Sequence, residues 1–267
     1  MTWHARRDVA KYSAFARLGV RHARAEPGEL LGRMVFLVMV LGVFSAVWRA
    51  VAEAGIGAAA ARNPREMLWY LAITEWVIMS APLVFVQMEE DIRRGDVACQ
   101  LARPASWLRS RLAHGLGALA VRAPVLLVVA CAIAWAYAGP PVHPAGLLAA
   151  IGFGVVAAMV ITIFHLGIGV VAFWLGDVTP AYWIWQKLTF VLGGLLLPLQ
   201  FYPETFVQVA KFTPFPAFLG GPASLLTTRP LVSAGTLALM LLFWGAVGVT
   251  ITRAAFRRAV AQLEVNG

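Results

Sequence analysis

The sequence predicts an all-α integral membrane protein with six transmembrane helices, and three observations carry that prediction. Hydrophobic residues make up 60% of the 267 residues and charged residues 13%, with a mean hydropathy of +0.76; soluble domains carry roughly 25% charged residues. The apolar residues fall into runs of about 20, enough to cross the hydrocarbon core of a bilayer as a helix. Lys and Arg stand at the ends of these runs, not in one basic patch interleaved with aromatics, so the formal charge of +9 does not point to nucleic acid. Little chain remains for a soluble domain.

Residues 1–30 form the first unit. Over 3–24, Ala5, Val9, Tyr12, Phe15, Ala16, Val20 and Ala23 fall within an arc of about 140°, with Arg7, Lys11, Arg17 and Arg21 opposite. This is a basic amphipathic helix that lies in the membrane interface or packs on a partner. The first span covers 31–51, and it reads as uncleaved because its leader contains Glu26 and Glu29. Asn63-Pro64-Arg65-Glu66 supplies a cap, a first-turn proline and an acid, and so opens the second span at 67–87.

A charged island, 88–104, follows. Glu89 to Arg93 and Glu90 to Arg94 are spaced i,i+4 with the acid first, the favourable order. Gly95 permits a sharp bend, Asp96 caps a new short helix, and Pro104 stops it. The third span, 116–137, is closed by Gly139-Pro140-Pro141, and the fourth, 147–175, by Gly176-Asp177-Val178-Thr179-Pro180. The fifth runs over 183–198 through Gly193-Gly194 to Pro198. Residues 199–230 stay apolar but are interrupted by Pro203, Pro214, Pro216, Gly220, Gly221 and Pro222, which predicts a re-entrant or interfacial helical pair. Its broken backbone then has to be surrounded by protein. The sixth span covers 231–251, and 253–267 forms a basic tail with Arg253, Arg257 and Arg258.

Six spans place both termini on one side of the membrane. That side holds the cations of the N-terminal helix, the island and the tail, whereas the other holds only Arg62, Arg65, Lys211 and Arg229. By the positive-inside rule the termini and the island are cytoplasmic.

The chemistry is sparse. None of the three lysines, Lys11, Lys187 and Lys211, follows a glycine loop of the P-loop type, so ATP is not bound here by that route. The five histidines are scattered without metal-ligand spacing, and no catalytic constellation stands out. Cys99 and Cys131 sit in different environments and read as free thiols. The ionisable residues inside apolar runs are Arg49, Glu75, Arg122 and His165. Arg49 and Arg122 lie near span ends and read as snorkelling cations. Glu75 either pairs with Arg49 or lines a pathway, and His165 is a hydrogen-bonded interior histidine or a pathway residue. Trp69, Tyr70, Trp183, Trp185, Phe201 and Tyr202 cluster at span ends and read as interfacial belt anchors, with a substrate-contacting cleft as the alternative.

Several of these features stand in a recognisable order. They are the basic amphipathic N-terminus, Ile92-x-x-Gly95-Asp96 running into Leu101-Ala102-Arg103-Pro104, Gln186-Lys187, Gly193-Gly194-x-x-x-Pro198, Tyr202-Pro203 and Pro214-Phe215-Pro216. In that order, over nearly its whole length, the chain resembles the permease subunits of type-2 ABC exporters. The resemblance implies an elbow helix at the N-terminus, a six-span permease domain over 31–252, and a coupling helix at 96–103. It implies that Glu90, Arg94, Gly95, Asp96, Gln100, Leu101 and Arg103 contact a separate ATPase. The working assembly would be two permease chains, alike or different, with an ATPase dimer that binds ATP and Mg, in a bacterial inner membrane. This chain would be no enzyme and would hold no cofactor of its own. An ion-gradient-driven secondary transporter is the alternative; it predicts internal repeats and midplane carboxylates, of which only Glu75 is present.

Overall fold

The computed structural model describes residues 3–55, 63–101, 105–228 and 230–266, and among them every regular element is helical. In chain order these are α1 (Trp3–Ala25), α2 (Pro27–Ala54), α3 (Pro64–Ser80), α4 (Val84–Arg93), α5 (Asp96–Leu101), α6 (Trp107–Ala138), α7 (Pro144–Leu175) and α8 (Thr179–Leu192). There follow a 3-10 turn (Leu199–Phe201), α9 (Glu204–Lys211), α10 (Phe215–Phe218), α11 (Gly220–Ser224) and α12 (Ala234–Asn266). Among the described residues five stretches are long and apolar enough to cross a membrane: α2, α3 with α4, α6, α7 and α12.

The bundle is built around α3. Every residue from Glu66 to Val77 is buried, because α2, α6, α7 and α11 surround the helix. A helix that is apolar on all sides can be buried on all sides. Its start is the one the sequence predicts, with Pro64 in the first turn and the Asn63 side chain accepting from the Arg65 N–H at 3.0 Å.

The N-terminal helix does not stand alone. α1 packs along α6, and the two cross so closely that a Cβ on Gly117 would lie 2.0 Å from the Ala16 carbonyl oxygen, and one on Gly19 would lie 2.0 Å from that of His114. Small residues are what allow two helix backbones to approach this far.

The structure corrects several sequence expectations. The fifth span predicted over 183–198 is instead the 14-residue α8, about 21 Å long at 1.5 Å per residue and short of a ~30 Å hydrocarbon core. It stops because Gly194 turns into the left-handed region (φ 69°). The second span is divided at 81–83, where Pro82 lacks an N–H and breaks the ladder between α3 and α4. The helix of the third span, α6, begins at Trp107, well before 116, and the basic tail continues α12 as helix to Asn266. The broken segment divides as its prolines suggest. In α9 Val209 is exposed, as is Phe212 just after it, whereas α10 is buried against α7 and α8 and α11 against α3 and α7.

Gly117→Val should destabilise the chain by about 3 kcal/mol, the upper end for overpacking, by forcing α1 off α6. Gly28→Ala, where an added Cβ meets nothing within 4 Å, should stay within about 0.5 kcal/mol. Thermal melting of the detergent-purified chain checks both, and equal melting points would show that the crossing does not hold α1.

Candidate functional site

Two regions gather the predicted site residues, one at the end of the bundle and one between its helices. At the end, α4 carries the charged island. The expected pairs form, with Glu89 and Arg93 3.6 Å apart and Glu90 paired with Arg94. Gly95 then takes φ 76° and reverses the chain into α5. Val97 is buried beside Val84, Met88, Trp107, Leu166 and Val170, while Glu90, Arg94, Gly95, Asp96 and Cys99 are exposed and Gln100 and Leu101 are half-buried. Val97, with Leu101 packed half-buried against the same cluster, thus pins a six-residue helix whose opposite face, with Asp96 and Cys99, stays open. Arg103 lies outside the described residues.

The island is also tied sideways, by contacts its sequence spacing does not reveal. Asp91 pairs with Arg111 and accepts from the indole N–H of Trp107 at 3.3 Å, both on α6. Glu89 accepts from the backbone N–H of Val178 at 3.3 Å, in the turn between α7 and α8. In that turn Asp177 accepts from the Thr179 N–H at 2.8 Å, which holds its carboxyl below the usual carboxylate range. The end of α4 is therefore bonded both to α6 and to the turn before α8.

The second region is a cleft of about 600 Å³, open to its surroundings, between α2, the α3–α4 break and α8. Phe36, Tyr182, Trp183 and Phe190 give it aromatic walls, and Glu75 lies in it with 3% exposure. Glu75 does not pair with Arg49, which instead donates to the Tyr137 carbonyl at 2.8 Å. Among the described residues the Glu75 carboxyl has no hydrogen-bond or ion-pair partner. Arg122 does not snorkel; it is buried on α6 and pairs with Glu29 on α2, which also holds Arg33 at 2.8 Å.

His165 does not line the cleft. Its Nδ1 lies 3.0 Å from the Pro82 carbonyl oxygen, which can only accept, so this nitrogen carries the proton. Arg33 donates to the Met79 carbonyl on the other side of the same break. Trp69 and Tyr70 are likewise not belt anchors. Trp69 donates from its indole to the Gly139 carbonyl at 3.0 Å, and Tyr70 from its hydroxyl to that of Gly194 at 2.6 Å. Both cysteines are free, as expected. A proline in the middle of the second apolar run was the available signal for the break. The partners across the bundle had no signal in one dimension.

Long apolar helices, an aromatic-walled cleft between them and a short pinned helix beside a charged tip at one end are the build of a multi-pass membrane protein. A family model described as ABC-2 family transporter protein matches residues 60–267, and the chain belongs to that family. It is therefore a membrane subunit of an ABC transporter system, not itself the catalytic part. No curated protein matches the chain significantly.

Asp91→Asn should cost about 1–3 kcal/mol, because it leaves the partly buried Arg111 without its counter-charge. Glu90→Gln, at an exposed pair, should change stability by less than about 0.5 kcal/mol. Melting curves of the two variants, compared with the parent, test which acid holds the island.

Proposed function

We propose that the chain is the permease subunit of an ATP-driven exporter, working as a dimer of permeases with a separate pair of ATPase chains that bind ATP and Mg. The observation that carries this reading is α5, a short helix pinned by Val97 and Leu101 at the tip of a span, with Asp96 and the neighbouring Glu90 and Arg94 exposed. Glu90, Arg94, Gly95, Asp96, Gln100, Leu101 and Arg103 form the contact with the ATPase. The membrane is a bacterial inner membrane, the termini and the island are cytoplasmic, and α1 is the elbow helix.

The bonds of the island describe how force would pass. Closure of the ATPase pair pushes α5, and α4 moves with it about the break at Pro82. The Asp91–Arg111 pair carries the displacement to α6. The Glu89 contact with the Val178 N–H carries it to the start of α8. Tyr182, Trp183, Gln186, Lys187 and Phe190 of α8 wall the cleft, so a shift of α8 changes its width. Glu75 lines the path, while His165 holds the hinge.

A second reading, a secondary transporter driven by an ion gradient, draws support from the same unpartnered Glu75. Vanadate-sensitive transport separates the two, and loss of transport in Glu75→Gln with intact ATPase activity would favour the second.

Gentle purification of the tagged chain from its own host should bring a P-loop ATPase down in stoichiometric amount, with or without a second permease. A chain that emerges alone even after crosslinking through Cys99 would overturn the export reading. Asp96→Lys or Leu101→Trp should abolish transport while the chain still inserts, and Cys99 should react with an impermeant thiol reagent only from the cytoplasmic side. Labelling of Cys99 in intact cells would reverse the orientation.

A further inference from the structure

We propose that the cleft between α2, the α3–α4 break and α8 is a recognition site for a lipophilic cation, with Glu75 as its counter-charge. The inference rests on the export reading, to which it adds the chemical class of the substrate.

The polar groups lining the cleft are nearly all engaged by the protein itself. Glu29 pairs with Arg33 and Arg122, and Arg33 also donates to the Met79 carbonyl. Gln186 donates to the Tyr182 hydroxyl at 3.2 Å. The Lys187 ammonium lies 5.5 Å from the ring centroid of Trp183 and 5.7 Å from that of Phe190, cation–π distances. Glu75 is the exception. Its carboxyl faces the cleft from the most buried helix of the bundle, with no partner among the described residues. Among the described residues Glu75 is thus the acid of the lining left without a counter-charge, although two cations stand beside it in the cleft.

The walls fit the same ligand. Phe36, Tyr182, Trp183 and Phe190 offer apolar and π surfaces of the kind that hold onium ions. A cation with a large apolar body would bury that body against the rings and place its charge near Glu75. A carboxyl in a water-poor site interacts far more strongly with a cation than it would in water, because the local dielectric is low. An anion of the same size and shape would meet the carboxyl without compensation. That asymmetry provides the test.

Tetraphenylphosphonium and tetraphenylborate match in size and shape and differ in the sign of their charge. The complex isolated from its host is reconstituted into phosphatidylcholine nanodiscs, and binding of each radiolabelled ion is measured by equilibrium dialysis against empty discs. Tetraphenylphosphonium should bind saturably and tetraphenylborate should not. Glu75→Gln should weaken cation binding at least tenfold, and Glu75→Asp should stay within about threefold of the parent. Equal binding of the two ions by the parent protein would overturn the proposal without recourse to any variant. Cation binding unchanged in a folded Glu75→Gln protein would overturn it too. The readout needs no ATP turnover. Glu75-dependent cation binding in a chain that brings no ATPase would sink the export reading and leave the site standing; charge-blind binding in an ATPase-bearing complex would do the reverse.

Discussion

The structure depends on one constraint: a backbone that breaks inside an apolar bundle must find hydrogen-bond partners there. Each unsatisfied group in such a setting costs several kcal/mol. Two breaks dominate this chain, at Pro82 between α3 and α4 and at Gly193-Gly194 after α8. At the first, His165 and Arg33 donate to the carbonyls of Pro82 and Met79. At the second, Tyr70 and Thr74 of α3 donate to the carbonyls of Gly194 and Leu195, and the Gly193 carbonyl accepts from the Gly220 N–H at 3.0 Å. This is why α3 lies at the centre. It carries the donors that let the segment after α8 turn back into the bundle, and it bears Glu75 on the side facing the cleft.

The charged residues follow the same economy in a different setting. Within the bundle, Glu29 is shared by Arg33 and Arg122 and joins α2 to α6. At its end, Asp91 and Glu89 tie the tip of α4 to α6 and to the turn before α8. The exposed Glu90–Arg94 pair adds little to stability, as exposed pairs generally do. Its place beside α5 makes it available to a partner instead. Paired acids hold the machinery together, and the unpaired one in the cleft is left for a ligand.

Much of the architecture was legible in one dimension. Apolar run length gave the long helices, since a bilayer's thickness fixes how much helix is needed. The i,i+4 acids and bases of the island, the bend at Gly95, the short helix after it and the Asn63 cap all follow from contacts within a few residues. The length of the segment over 183–198 was misjudged, because counting apolar residues does not register a turn taken by Gly194. The second run misled for a similar reason: Pro82 sits among apolar neighbours, and hydropathy averages over it.

What the sequence alone determined, then, is the class: a multi-pass helical protein of the ABC-2 family with a short charged helix after its second span. These are properties of composition and local spacing, which the chain carries wherever it folds. Only the tertiary structure decided that Trp69 and Tyr70 are internal donors and not belt anchors, that Arg122 pairs with Glu29, that His165 bonds the Pro82 carbonyl at the helix break, and that Glu75 faces a cleft without a partner among the described residues. The contacts among these join residues 70 to 124 positions apart in the chain, and a hydrogen bond or ion pair acts over a few ångströms of space, whatever the separation in sequence.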